Sequence, residues 1–587
     1  MFCFVEFVFY LINYESSTHF LKIDSQMTRF EDLPNEIIIE CFRYFHGVDL
    51  LLSFDQLNYR FNQLVRAIQR LFIDFDDANL SKFNRFCQKL SSNPELKDQI
   101  YSLKLSNRSM SIYLFLSRFS LDSFANLQSL TLIQPQDLDI SKLKANKLFC
   151  SRLSSLHFIC SEDRYMNIKL ISFLGSDDDI FMDNKHIFNL SSIQKLTVNQ
   201  CSCGELQQIL QEAPNLKCIE IQEFYVFSRY HWHTETTENL NDQYQHINLV
   251  QLKILSCPCY LTPNSFKIVF KQMPNLRNLS ICLNNCATTD NPNDWQQMIT
   301  EFLPNLKVFH FHFAYLKHLF NENVYKQYQA DFWTREHQWY TDCLVRGNHI
   351  SISTVPYLKE RYILPSILHR CSDGNIKRFV RVKHLEIKSN ENNQDYFPHV
   401  ESIIFHKQSM NCIETIVNEL PSMINMINLK SLVFSTQFRL ENSPILLTIL
   451  KQAPNISSFG INYAFLMSML DKDKDLCEHL HKMIKSLDVD VSSQVLLADM
   501  YQMNLFWQVF SNIEQLRCVI NTTDSIRFLF VHLTKLIRLC VLTDHTLLYT
   551  KTAIIEHANI CHLNILTTDS ALGGYAEYLI WITRDTN

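Results

Sequence analysis

The chain has 587 residues, 47% hydrophobic and 19% charged, with a net charge of −6; it can bury extensive cores, and its charge gives no electrostatic ground for a nucleic-acid partner. Only 8 glycines occur, where average usage would supply roughly 40. No G-x-G-x-x-G, G-x-x-x-x-G-K-[ST] or G-x-S-x-G pattern can be written from them, which excludes the common glycine-built nucleotide and hydrolase sites.

Residues 1–12 (MFCFVEFVFYLI) are apolar but interrupted by Glu6. They are too short for a bilayer, which takes about 20 residues, and they lack the basic start of a signal peptide. Residues 1–27 therefore read as an extension, either packed or translated from a start upstream of Met27. No other stretch is long and apolar enough to span a membrane, so no membrane partner is expected. The 19 cysteines are odd in number and scattered. This is no disulfide framework, and an intracellular protein, cytoplasmic or nuclear, is expected.

Residues 28–72 come next. Leu33-Pro34 ends an extended approach, because the residue before a proline is pushed out of the helical region. The spacing predicts a helix over 35–45, with Gly47 as its stop signal. Apart from Asn35, Glu36, Glu40 and Arg43 this helix is apolar, more than one buried stripe requires. Asp49 is the expected N-cap of a short turn through Leu50, Leu51 and Leu52. Asn58 is the expected cap of a third helix with Phe61, Leu64, Val65 and Ile68 at i, i+3, i+4, i+7. A unit of about 45 residues cannot bury so much apolar surface alone, so the rest of the chain or a partner must cover it.

This segment resembles an F-box: Leu33-Pro34-Asn35-Glu36-Ile37 opens it, an apolar helix follows, then Asp49-Leu50, then Tyr59-Arg60-Phe61. The Cys/Lys-x-Trp feature found in the third helix of many members is replaced by Leu57-Asn58-Tyr59-Arg60. The resemblance implies docking on a Skp-type adaptor and, through it, a cullin. Carried over by position, Leu33, Pro34, Ile37, Ile38, Phe42, Leu50 and Leu51 would lie at or beside that interface. The alternative is a helical cap on the domain that follows.

From residue 73 to 587 the chain reads as a repeat. Segments 206–221, 266–281, 298–311 and 446–461 share a Pro-Asn-Leu/Ile hinge, and Pro214, Pro274, Pro304 and Pro454 are 60, 30 and 150 residues apart. Such a period of about 30 signals a solenoid. Before each proline the apolar residues follow a helical period, as at Leu206, Ile209, Leu210 and Ala213. After it they alternate, as in Leu216 to Ile221, which predicts a strand. Ser443 and Pro444 supply a cap and first-turn proline for the last copy. Strand echoes without the proline run over 127–132, 193–198, 252–255, 382–387, 429–434, 484–489 and 513–519. The expected fold class is α/β: a small three-helix F-box-like module followed by a curved β/α solenoid whose L-x-x-L-x-L strands resemble leucine-rich repeats, or another α/β array of similar pattern. Residues 312–380 fit the period poorly and are either an insertion or two divergent repeats. Their aromatic residues, Phe313, Tyr315, Phe320, Trp333, Trp339 and Tyr340, are candidates for a recognition patch or for packing.

Little points to catalysis. His231-x-His233 and His310-x-His312 have a spacing metals can use but no third ligand nearby. Cys201-x-Cys203 and Cys257-x-Cys259 are one residue too close for a zinc knuckle. The cluster Cys477-Glu478-His479-Leu480-His481 is spread around a helix axis, and Asp177 to Asp179 read as a solvated loop. No metal, cofactor or catalytic residue is expected. The sequence thus points to a non-catalytic substrate-recognition subunit of an SCF-type ubiquitin ligase, binding an adaptor through the helical module and an unknown target protein through the repeats. The alternatives are a repeat scaffold with no ubiquitin role and a metal-dependent enzyme using the Cys and His pairs.

Overall fold

Helix α1 spans Asn35–Phe42 with Pro34 at its N-cap, α2 spans Gly47–Phe54, and α3 spans Tyr59–Arg66. These come from a computed structural model that describes residues 30–55, 57–76, 80–107, 111–135, 139, 143, 152–159, 190–225, 248–257, 263–286, 292–346, 348–357, 359–364, 366–369, 378–387, 395–406, 413–435, 443–489, 500–520, 523–544, 550–572 and 575–583. The extension over 1–27, Asp177 to Asp179, the pair His231 and His233, and Cys259 lie outside the described residues.

Two expectations in this segment need correcting. Gly47 does not terminate α1, which ends at Phe42; it is the first residue of α2, and His46 is the N-cap. A glycine is required there for closeness: a Cβ would lie 2.5 Å from the Phe72 carbonyl oxygen and 2.9 Å from Ile73 Cδ1. Asp49 is consequently inside the first turn of α2 and pairs with Lys82 at 2.5 Å instead of capping. The third expectation holds: the Asn58 side chain accepts from the Phe61 amide at 2.9 Å, and α3 buries Phe61, Leu64 and Val65.

The chain forms two compact units, Met1–Asn199 with Glu212–Leu216, and Gln200–Gln211 with Lys217–Asn587. In the first, the helices lead into β1 (Leu71–Asp74), α4 (Leu80–Ser92), β2 (Ile100–Ser106), α5 (Ser111–Arg118), β3 (Ser129–Ile133), β4 (Ser155–Ile159) and β5 (Lys195–Ser202). These five strands pair in parallel and in chain order. Alternation fixes their faces: Leu130, Leu132, Leu156 and Phe158 are buried, while Ser155 and His157 stand on the other side.

The second unit repeats the pattern. It contains α6 (Cys203–Glu212), β6 (Cys218–Tyr225), β7 (Gln251–Cys257), α7 (Pro263–Lys271), β8 (Asn278–Cys286), α8 (Pro292–Phe302) and β9 (Val308–Leu316), with β6 to β9 parallel. Then α9 (Glu322–Gln327) and strands β10 (Thr341–Arg346), β11 (His349–Thr354), β12 (Arg361–Ile363) and β13 (Ser366–His369) break the rule. β11 pairs antiparallel with β9, and β10 pairs antiparallel with both β11 and β13. β12 instead opens a second sheet. There it pairs in parallel with β14 (His384–Ile387), and the ladder continues through β15 (Ser402–Phe405), β16 (Ser431–Phe434), β17 (Ser458–Ile461), β18 (Ser486–Val489), β19 (Gln515–Val519) and β20 (Arg538–Asp544). Strands β21 (Asn564–Leu572) and β22 (Tyr575–Thr583) close it as an antiparallel hairpin in which β22, not β21, bonds to β20.

The α/β repeat class is therefore as the sequence implies. Every Pro-Asn unit is a helix followed by a strand, and each helix stops two or three residues before its proline. The helix of the last copy begins at Ser443, with Pro444 in its first turn. The asparagine of three of these hinges, and two asparagines at equivalent bends without the proline, share a task. Asn126, Asn215, Asn305, Asn428 and Asn455 each donate from Nδ2 to a backbone carbonyl one repeat earlier, at 2.7 to 3.1 Å. The amide thus satisfies an acceptor in a chain bend that no ladder reaches. The period-breaking region over 312–380 is an antiparallel interruption whose aromatic residues pack inward: Phe313, Tyr315, Trp333 and Trp339 are buried, with Phe311 and Phe313 stacked at 4.5 Å. Phe320 and Tyr340 are half-buried, so four of the six candidates serve packing.

Candidate functional site

The helical module is held by an aromatic centre and a clasp. Phe54 lies at the middle, with ring centroids 5.0 Å from Phe42, 5.3 Å from Phe45, 5.5 Å from Phe61 and 5.8 Å from Phe30. Aromatic pairs at such distances contribute about 0.5–1.5 kcal/mol each beyond area burial. The clasp is Arg60. Its Nε donates to Asn35 Oδ1 at 2.8 Å, Nη2 to the Leu33 carbonyl at 2.5 Å, and Nη1 to the Glu31 carbonyl. A single guanidinium thereby ties the start of α3 to the Leu33-Pro34 bend, using the planar fork that lysine lacks. From below, Lys89 on α4 donates to the carbonyls of Leu51 and Asp55, at 2.7 and 3.1 Å, and pairs with the buried Asp55 carboxylate at 2.9 Å.

The seven residues carried over from the F-box resemblance divide into two sets. Ile38, Phe42, Leu50 and Leu51 are buried in the chain's own core, so they brace the module and present nothing to a partner. Leu33 is half-buried, and Pro34 and Ile37 are exposed, Ile37 at 40%. Positions that sequence reasoning left out join the open set: Ile39 and Tyr44, the latter 62% exposed. The signal was present, because α1 is apolar beyond one stripe, and the residues flanking the Ile38–Phe42 stripe are those left in water. Pro34 and Ile37 thus stand in water beside half-buried Leu33 on a bend fixed by Arg60, and Ile39 and Tyr44 are exposed farther along the chain.

At the other end of the module lies a cavity of about 390 Å³ between α1, α2, α3 and β1. Its walls include Ile39, Phe45, Leu64, Ile68 and Phe72, and its charged lining residues are Arg43 and Arg70.

The groups considered for catalysis have other partners. His312 is buried with Nδ1 2.6 Å from Ser353 Oγ. Burial, with Arg381 adding repulsion, holds the His310 imidazole down to about 4. On the helix Lys474–Met483, Cys477 Sγ donates to the Leu470 carbonyl, His479 Nδ1 lies 2.9 Å from the Asp475 carbonyl, and His481 Nδ1 lies 3.0 Å from the Val509 carbonyl. The cluster is thus spread around the axis as its helical spacing implies. Burial pushes the thiols of Cys87 and Cys203 up to about 11 and that of Cys343 to about 12, which keeps them protonated and poor nucleophiles. Among the described residues no three His, Cys, Asp or Glu side chains converge as metal ligands. Nor is any described helix long and apolar enough to cross a membrane.

No family model matches the chain, and no curated protein matches it. Among solved structures it is similar to the crystal structure of the Rad7 and Elc1 complex in yeast, at 10% identity over 91% of each chain and a TM-score of 0.25.

Proposed function

We propose that this chain is the substrate-recognition subunit of an SCF-type ubiquitin ligase, docking a Skp-type adaptor through the helical module and a target protein through the repeats. The observation that carries the reading is the exposed pair Pro34 and Ile37, beside half-buried Leu33, on a bend held by Arg60. Exposed apolar side chains clustered on a rigid support are what a partner's apolar face covers. For the target, the second sheet offers an open face on which Ser402, Ser431, Ser458 and Ser486 stand in register on four successive strands. Small side chains there let another chain approach the sheet closely. No residue of this chain would act on a bond. Its contribution is proximity: a target held beside a charged ubiquitin-conjugating enzyme sees a raised effective concentration.

The test is co-purification of the full chain with a Skp-type adaptor, and the same with Leu33→Asp plus Ile37→Asp. Both positions are at least partly open, so the double variant should keep its thermal transition and lose the adaptor. Phe42→Ala is a poor probe, because Phe42 is buried among Phe54 and Phe61. Failure of the wild-type chain to bind, or binding that survives the double variant, overturns adaptor docking and leaves a repeat scaffold with no ubiquitin role.

A further inference from the structure

The edge strand of a sheet presents outer N–H and C=O groups to any extended chain, and folds blunt such edges with very short strands, lysine, proline or bulges. Among the described strands, three of the four edges follow that rule by length: β1 and β13 have 4 residues each, and β12 has 3. The fourth edge, β21, has 9. Its sequence, NILTTDSAL, contains no lysine, arginine or proline, and it pairs with β22 from Asn564 to Leu572 without a bulge. No strand lies beyond it among the described residues.

The ladder fixes which backbone groups of β21 point outward. Antiparallel pairs alternate between those that exchange both hydrogen bonds and those that exchange none. Leu572 pairs with Tyr575 across a two-residue connection. That closing pair is of the first kind, because the second would need a bond between the two connecting residues themselves. Leu572, Ser570, Thr568, Leu566 and Asn564 therefore bond to β22, and the N–H and C=O groups of Ile565, Thr567, Asp569 and Ala571 face away from it. Those four positions are symmetric about Thr568. A second β21, laid antiparallel on a two-fold axis at Thr568, sets Ile565 opposite Ala571 and Thr567 opposite Asp569. All the outward groups of both strands are then bonded, which a shifted antiparallel register does not achieve. Asp569, the only charged residue of the strand, stands opposite a threonine and not its own copy, so no like charges meet directly.

We propose that this chain forms a two-fold symmetric homodimer by joining β21 to β21, so that the second sheets of two copies become one continuous sheet. Each copy has a single long edge, and the contact is the same patch on both, so association closes at two. The dimer stands independently of adaptor docking.

Sedimentation velocity of the full chain, over roughly a hundredfold range of concentration, should show the mass rising from 69.3 kDa towards twice that value. Proline is tolerated on an edge strand where its missing N–H faces outward. Thr567→Pro should therefore keep the circular-dichroism melt of the wild-type chain and stay monomeric throughout. Thr567→Asp sets carboxylates opposite each other at two ladder positions and should weaken dimerisation at least about tenfold. Adding Asp569→Lys turns both into opposite-charge pairs and should restore the wild-type association, a reversal that a role confined to one chain's own fold would not produce. The proposal is overturned by a wild-type chain that stays monomeric at every concentration, by association that survives Thr567→Pro, or by failure of Asp569→Lys to rescue Thr567→Asp. Amide exchange over residues 564–572 then names the occupant in place of a second copy. Protection in a monomer assigns the edge to another segment of this chain, and rapid exchange leaves it to a strand of a different protein.

Discussion

Replacing Gly47 by alanine should pry the helical module from the first strand. The added methyl would sit 2.5 Å from the Phe72 carbonyl oxygen and 2.9 Å from Ile73 Cδ1, and the nearer neighbour is backbone in a paired strand, which cannot swing aside. To regain contact the start of α2 and β1 must separate by most of an ångström. Overpacking of this kind costs about 1–3 kcal/mol, and the gain in helix propensity at a first-turn position offsets only a fraction of it. A net loss of about 2 kcal/mol is a roughly 30-fold increase in local opening. Gly204 is the internal control. It too sits in a first turn, that of α6, but a Cβ there meets nothing within 4 Å, so Gly204→Ala should be neutral or stabilise by up to about 1 kcal/mol. The readout must be local, because all six tryptophans lie at residue 232 or beyond and none reports on the module. Amide hydrogen exchange of peptides covering 38–54 and 71–76 supplies it. Unchanged or slower exchange in Gly47→Ala, or faster exchange in Gly204→Ala around its own site, refutes the close-approach reasoning.

Three more outcomes are expected. Arg60→Ala removes three charge-assisted hydrogen bonds, two to exposed acceptors that water can satisfy, so the loss should be about 1–2 kcal/mol; it should appear as faster exchange at residues 33–38, and unchanged protection there would dismiss the clasp. Lys89→Met strands the Asp55 carboxylate, which is 4% exposed, at a cost of about 3 kcal/mol, with a more urea-sensitive helical module as the measured sign. His310 is held neutral to about pH 4 in the fold, so its contribution is complete above 6.5; as pH falls from 6.5 towards 4 only the unfolded chain takes up the proton, and stability falls by up to about 1.4 kcal/mol per pH unit. Tryptophan-detected unfolding across that window should lose this slope in His310→Gln, and identical slopes would place His310 in contact with water.

How much of this was legible depended on the range of each interaction. The helix-proline-strand units were readable, because a period of 3.6 giving way to 2 is a local signal and the proline marks the switch. The antiparallel interruption at β9, β11, β10 and β13 was not: alternation looks the same whichever way the neighbouring strand runs. Arg60 escaped notice because its acceptors are mostly backbone carbonyls more than 25 residues away, which leave no trace in composition. Gly47 was misread for a physical reason, since a glycine after a helical run commonly adopts the terminating conformation, whereas this one is demanded by a carbonyl reached only after folding. At the module, the motif located the Leu33-Pro34 bend, but the buried set could be separated from the open one only once α2 and α3 were packed against α1.

The order of the last three strands bears on how the chain acquires its shape while it is being made. β22 lies between β20 and β21, so the strand that bonds to the ladder is the later of the two to leave the ribosome. Until Tyr575 and its successors emerge, β20 presents an unpaired edge of N–H and C=O groups, the template on which foreign strands add. At about 5–20 residues per second, the stretch from Asp544 to Thr583 holds that edge open for seconds. Nascent-chain chaperones should therefore engage this protein late in synthesis, and truncation before β22 should leave the edge of the sheet on β20 in place of β21.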